Sequence, residues 1–207
     1  MQTRRRSTRT DARRNEERLL AAAHTMFTQH GTGASLEEVA RRAGVGIGTL
    51  YRAFPNREAL LEALIHERFE RLAVEAEERI TEKDPRAAFA QWLSSFAESS
   101  STYRGLPASL VATMRDPGSP LYAACHRMHD AGVALFHRCR DAGTFRGDVE
   151  ADDVLALAAA VAWVGEQVEG DPGMPERLLA LVLDGVSHGG ATGATTAATA
   201  ARPTSPA

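Results

Sequence analysis

An all-α fold is what this sequence predicts, on three observations. Apolar residues recur three and four positions apart along most of the chain, no stretch alternates as a strand does, and helix starters and stoppers punctuate it at short intervals.

The elements follow in order. "ERLLAAAHTMF" sets Leu19, Leu20, Ala23 and Phe27 on one helical face, and Gly31 stops the run. "SLEEVARRA" opens with Ser35 and Glu38 at the S-x-x-E spacing of a capping box, and Gly44 ends that helix early. A second short helix covers roughly 47–53, with Pro55 beyond it. Asn56 then caps a long helix whose apolar positions are 60, 61, 64, 65, 69 and 72. Asp84-Pro85 starts the next, where Phe89, Trp92, Leu93 and Phe96 share a face. A short helix over 107–114 is stopped by "DPGSP". Over 119–140, Leu121, Cys125, Met128, Gly132, Leu135 and Cys139 keep close to a 3.5-residue period. "DAGTFRGD" is a turn, 151–168 an Ala-rich helix apolar nearly all round, "EGDPGMPE" a break and 175–186 a last helix. From 187 the residues are small and polar, with nothing large to bury, which predicts a disordered tail over 187–207. The expected organisation is thus a disordered basic arm over 1–14, a head over 15–58 and a body over 59–186.

The whole chain has 207 residues and a net charge of −3, but the charge is unevenly placed. Residues 1–60 carry +5 and the remainder −8, so a basic head sits on an acidic body, as suits a head that meets a polyanion. Cys125 and Cys139, fourteen residues apart on one helix, would stand about 21 Å apart, beyond disulfide reach. That predicts a reducing, cytoplasmic setting. No apolar stretch follows the basic N-terminus as in a signal peptide, and none is long enough for a membrane span.

The stretch "RRAGVGIGTLYRAFPNREALLEAL" holds Gly44, Gly46 and Gly48 and raises two chemistries, a phosphate cradle and a DNA-reading turn. A dinucleotide site needs G-x-G-x-x-G after a strand, and a P-loop needs Gly-Lys-Ser/Thr. Here the spacing is G-x-G-x-G after a capped helix, so no nucleotide cofactor is expected. Two short helices joined by a tight Gly-containing turn form a helix-turn-helix, whose second helix enters the major groove. Val39, Ala40, Ala43, Val45 and Leu50 supply its packing residues, and Gly44 the left-handed turn. Ile47, Thr49, Tyr51 and Arg52 are left to face a duplex.

From "SLEEVARRAGVGIGTLYRAFPNREALLEAL" the chain resembles the DNA-binding domain of the TetR/AcrR transcriptional repressor family. The likeness lies in the Ala-Gly-Val turn, Gly-Thr-Leu-Tyr, Phe54, Arg57 and the Ala-Leu-Leu opening of the fourth helix, and covers about residues 15–70. It implies an all-helical homodimer of nine or so helices, with an N-terminal three-helix helix-turn-helix head and a C-terminal helical ligand-binding and dimerisation body, that binds a palindromic operator and is released by a small-molecule effector. The sequence departs from the family pattern at Gly46, where a Ser commonly caps, at Ala53, usually aromatic or His, and at Arg57, usually Lys. Gly at an N-cap costs only about a few tenths of a kcal/mol.

Roles follow from the division between phosphate contacts that position and base contacts that specify. Ser35, Tyr51 and Arg57 are candidates for phosphate, Thr49 for phosphate or a thymine methyl. Arg52 is the candidate guanine reader, with Ile47 and Gly48 making apolar or close-approach contacts. Tyr51 serves equally well as a half-buried packing ring. Arg4, Arg5, Arg6 and Arg9 either track the DNA or merely solubilise the arm. The dimer surface is expected from 151–168 and 175–186. There Ala156, Ala158, Ala159, Ala160, Ala162 and Gly165 would allow close approach, with burial from Val154, Leu157, Val161, Val164, Leu178, Leu179 and Val182; the other reading of the Ala-rich helix is a monomer's core. Trp92, Phe96, Met114, Tyr122, Cys125, His126, His129 and Trp163 are the candidate effector lining, which suggests a mostly apolar ligand. Cys125 and His129, at i and i+4, open a rival reading as a metal sensor. No nucleophile–base motif accompanies the histidines, so an enzyme is not expected; an interaction module without DNA binding is the remaining alternative.

Overall fold

Nine helices follow one another in the computed structural model, which describes residues 2–101, 107–168 and 171–187. They are α1 (Gln2–His30), α2 (Leu36–Arg42), α3 (Ile47–Ala53), α4 (Arg57–Arg79), α5 (Pro85–Ser101), α6 (Ala108–Thr113), α7 (Pro120–Asp141), α8 (Ala151–Gln167) and α9 (Met174–Val186). Beyond Ser187 the expected disordered tail lies outside the described residues. The only extended pairing among them is an isolated antiparallel bridge between Phe145 and Ser187.

The stop and start residues act as their chemistry dictates. Gly31, Gly44 and Gly143 take φ of 74°, 67° and 70°, a left-handed backbone that a Cβ disfavours. Asn56 Oδ1 accepts from the Ala59 amide at 2.8 Å, and Asp84 Oδ1 from the Ala87 amide at 3.0 Å. At the N-terminus the structure departs from the sequence reading. α1 begins at Gln2, so the segment expected to be a disordered arm over 1–14 is helical from its second residue. No Gly or Pro interrupts residues 2–30, and Arg, Glu, Leu and Ala propagate a helix well once it is nucleated.

Two cores form. The head core gathers Leu19, Ala23 and Phe27 of α1, Leu36, Val39 and Ala40 of α2, Leu50 of α3, and Leu60, Leu61, Leu64 and Ile65 of α4. The body core joins the far half of α4, through Leu72, Ala73 and Ala76, to α5, α7, α8 and α9. Phe69 packs against both. α4 therefore belongs to head and body alike, and Leu110 and Leu121 reach the head core from α6 and α7. A boundary drawn at 58/59 cuts off the α4 residues that complete the head.

Aromatic rings centre the body. Phe89 meets Phe136 and Phe145 edge-on, with ring centroids 5.7 and 5.5 Å apart. Trp92 is wholly buried and its Nε1 donates to the Leu72 carbonyl at 2.9 Å. Gly132 of α7 lies directly under that indole, where any Cβ would run into the ring. This close approach lets α5 and α7 meet. On the surface Arg127 of α7 clamps α4, donating to Glu77 at 2.9 and 3.0 Å and to Glu70.

Candidate DNA-reading surface and its relation to the body

α2 begins at Ser35, whose Oγ accepts from the Glu38 amide at 3.3 Å and donates to Glu37 Oε2 at 2.9 Å. Only half of the expected capping box forms. Glu38 turns along the helix to Arg41, a charged donor that outcompetes a backbone amide. That guanidinium holds the Glu38 carboxyl below its ordinary range, while the Glu37 carboxyl is lowered first by its own backbone amide and then by Ser35. Ser35 is exposed, with its hydroxyl already engaged locally.

Gly44 makes the turn, and the Val45 amide donates to the Ala40 carbonyl at 3.0 Å to close it. Gly46 caps α3 with no side-chain bond, its carbonyl taking the amides of Thr49 at 2.8 Å and Leu50 at 3.3 Å. Leu50 is fully buried and Phe54 nearly so, which pins the inner face of α3 to the head core. At 100° per residue, positions 47, 48, 51 and 52 span about 140° of arc on the other side. All four are exposed, Ile47 at 37% and Tyr51 at 45%, and Thr49 sits half-buried at the rim. Tyr51 leaves nearly half of its surface open to solvent. A Cβ built on Gly48 meets nothing within 4 Å, so the chain's own packing does not require glycine there.

Arg57 is half-buried at the start of α4. Its Nη1 donates to the Thr32 carbonyl at 2.7 Å and the Ala34 carbonyl at 2.5 Å, and its guanidinium carbon lies 5.9 Å from the Phe27 ring centroid. Through Nη1 the guanidinium holds the α1–α2 loop against α4, a second role that the sequence did not suggest, because two carbonyls lie within its reach. Side chains of residues 2–10, Arg4, Arg5, Arg6 and Arg9 among them, lie outside the described residues.

The eight side chains expected to line an effector site lie in different surroundings. Trp92 is filled-in core, with Phe96 stacked on it at 5.6 Å. Met114 packs against the head core. Tyr122 is half-buried, and exposed His126 stacks on it at 3.8 Å. Trp163 is 62% exposed on the outer face of α8. The Cys125–His129 pair is not joined by further ligands: His129 Nε2 is hydrogen-bonded to Asp152 at 2.8 Å, and no cluster of three or more ligating side chains occurs among the described residues. Both cysteines are free, and burial pushes the Cys139 thiol up to about 11.

What sequence reading missed is a polar cleft of about 270 Å³ lined by His24 of α1, Arg68, Arg71, Leu72 and Glu75 of α4, and Ser95, Glu98 and Ser99 of α5. None of the expected lining residues contributes to it. Arg68 is only 9% exposed, and its position among the apolar residues of α4 was the available signal.

α8 and α9 present an unfilled apolar face. Leu157 (51%), Trp163 and Leu181 (67%) stand out from it, with exposed Ala156, Ala160 and Ala180 between. The other residues expected there divide: Val154, Ala158, Ala162 and Leu179 are buried in the chain's own core, and a Cβ on Gly165 would lie 2.7 Å from Pro175 Cγ, so this glycine serves α8–α9 packing instead.

A buried inner face on α3, an exposed outer one and a supporting three-helix head define a helix-turn-helix DNA-binding regulator. The chain belongs to the TetR family of transcriptional regulators, which are transcription factors and not enzymes. Residues 19–64 match the family described as bacterial regulatory proteins, tetR family, and residues 84–188 the C-terminal domain of SbtR-like transcriptional regulators. The TetR transcriptional regulator SCO0520 from Streptomyces coelicolor is similar at 35% identity and a TM-score of 0.68, covering 83% of this chain and 98% of that one. A TetR regulatory protein from Mycobacterium vanbaalenii is 28% identical with a TM-score of 0.60, over 87% and 99% of the two chains. An uncharacterized HTH-type transcriptional regulator of Mycobacterium tuberculosis is 43% identical over 68 residues, 31% of this chain. That match spans about a third of the curated relative's length, 34%. No helix among the described residues is long and apolar enough to cross a membrane.

Proposed function

We propose that the chain is a ligand-responsive repressor that binds a palindromic operator as a homodimer in the cytoplasm and is released by a small-molecule effector. The observation that carries the reading is the exposed arc of Ile47, Gly48, Tyr51 and Arg52 on a helix whose opposite face is locked into the head core. Arg52 reads a guanine edge, Ile47 and Gly48 allow close approach, and Thr49, Tyr51 and Ser35 set register on phosphates. One seven-residue helix reads too few bases to be specific alone, so two heads are required. The apolar face of α8 and α9 is the surface that pairs them. Leu157, Trp163 and Leu181 are uncovered in the single chain, and a second copy would bury them.

The test is a gel shift with the DNA upstream of the chain's own gene. Wild-type protein is expected to bind a two-fold symmetric site there. Arg52→Ala should lose about 1–3 kcal/mol per half-site and relax discrimination at one base position. Equal affinity of wild type for every duplex at low salt, or no effect of the substitution, would sink the assignment.

A further inference from the structure

α1 runs well past the head that it helps to build. Among the described residues its first side chain in the head core is Leu19, and about 25 Å of helix precedes it. Residues 2–14 hold six arginines against one acid, Asp11, a charge of +5 on a continuous helix. Every fourth residue of α1 locates part of that charge. Met26 and Ala22 are buried in the head core, and Arg42 at the end of α2 meets Met26 Sδ at 3.8 Å. The next two positions up the same face are Arg18 and Arg14, both exposed. Arg18 lies beside the helix-turn-helix turn itself: a Cβ on Gly44 would stand 3.7 Å from its Nη1. The face of α1 that packs on α2 thus continues outward as guanidiniums next to the start of α3. These cations are not neutralised within the chain. Arg13 is paired with Glu17 at 3.1 Å and Arg41 with Glu38, Asp11 has a contact of its own, and Glu16 lies on the opposite side of α1. Among the described residues Arg18 donates only to the neutral Asn15 Oδ1, at 2.5 Å, and Arg14 makes no ion pair. Two like charges one helical turn apart repel, a cost that a polyanion reverses.

We propose that the outer half of α1 is a ready-made arginine-bearing helix that docks on the DNA phosphates flanking the bases that α3 faces, with Arg14 and Arg18 as its contacts nearest the turn. The inference rests on the reading of the chain as a DNA-binding regulator and extends it: α3 reads the groove, and α1 lengthens the grip along the backbone. Phosphate contacts position without reading sequence, which suits a row of exposed cations. A flexible arm would surrender backbone freedom on binding, whereas a rod that grows from a helix already nucleated in the head core has little left to lose. Its length of about 25 Å exceeds the roughly 12 Å width of a major groove, so the helix can reach phosphates outside the stretch that α3 occupies. Arg4, Arg5, Arg6 and Arg9 belong to the same helix and extend its charge.

The experiment measures the salt dependence of binding by fluorescence anisotropy, with the full chain on its operator and on a random duplex of equal length. Each phosphate contact removed lowers the slope of log K against log salt by about 0.9, so Arg14→Gln with Arg18→Gln should lower it by about 1.8 per bound chain on either duplex. Arg71→Gln with Arg115→Gln takes the same charge from exposed positions in the body and should leave the slope unchanged. Ala12→Pro keeps every charge but interrupts the rod well before Leu19; operator affinity should fall about tenfold while Tm holds. A wild-type slope in the arginine variant overturns the proposal, and continued preference for operator over random duplex then leaves the regulator reading standing. An arginine variant that loses Tm instead of slope ties those side chains to the chain's own acidic body and overturns the proposal as well. Ala12→Pro that binds as tightly as wild type overturns the ready-made helix, since a flexible arm would not register the break. A chain that holds operator no more tightly than random duplex, yet loses slope in the arginine variant, overturns the specific-regulator reading with the docking helix intact. Failure of wild type to bind either duplex overturns both.

Discussion

Arg57→Ala separates two roles that sequence alone assigns to one residue. In the structure Nη1 donates to the carbonyls of Thr32 and Ala34 at 2.7 and 2.5 Å. One nitrogen serves both acceptors at a half-buried position, so the pair counts as roughly one charge-assisted bond of about 2 kcal/mol. Its loss also leaves the carbonyl of buried Ala34 poorly solvated. For a chain of this size about 2 kcal/mol corresponds to a fall in Tm of roughly 4–8 °C, measured by thermal denaturation at fixed protein concentration. The second readout is the salt dependence of operator binding. A phosphate contact contributes about 0.9 to the slope of log K against log salt, hence about 1.8 for two heads. The expected result is a lower Tm with an unchanged slope. A slope reduced by about two with an unaltered Tm would refute the structural role and restore Arg57 as a phosphate ligand.

Three further outcomes are expected. Gly48→Ala adds a side chain into open space on a helix, so thermal denaturation should show a Tm equal to or slightly above wild type, about 0.5 kcal/mol at most, while operator affinity falls because the helix stands off from the groove; a destabilised variant with intact binding contradicts this. Trp163→Asp with Leu181→Asp places charges on the exposed face of α8 and α9, and analytical ultracentrifugation should then find single chains where wild type is paired; two proteins that sediment alike remove the face from the dimer. The lowered pKa of His24 means that the folded chain resists a proton the unfolded chain accepts. Stability should therefore be full above the ordinary imidazole value of 6.5 and decline as pH falls below it, and His24→Gln should flatten that decline in urea titrations; an identical pH profile excludes His24 as its source.

The punctuation of the fold was legible in the sequence because its chemistry is local. Only glycine takes the left-handed turn at residue 44 cheaply, and an Asn ahead of a helical pattern finds an amide three residues on, as Asn56 does. Periodicity was legible too, but it reports that a face is covered, not what covers it. Trp92 and Trp163 look alike in their helical patterns, yet one is sealed under Gly132 and the other is bare. The same ambiguity divided α8 between the chain's own core and its outer face. Arg57 and Arg68 were the hardest to place, since a long cation serves phosphate, carbonyl or cleft according to neighbours distant in sequence. The N-terminal arginines misled in the opposite sense: charge suggested disorder, whereas the absence of any breaker before His30 let the helix run on.

α4 carries a mechanical consequence of its double membership. It runs unbroken for 23 residues, about 34 Å, with one end embedded in the head core beside α3 and the other bolted to α7 by Arg127. Such a lever arm magnifies small rotations: pivoting by about 5° at the far end sweeps the near end through roughly 3 Å, close to the 3.4 Å rise of one base step. Were two chains paired about a two-fold axis as proposed, the sweeps would oppose each other and the span between heads would change by roughly 6 Å against half-sites about 34–36 Å apart. For the operator-bound pair proposed above, a slight swing of two stiff arms would carry the heads out of step with the double helix without any unfolding.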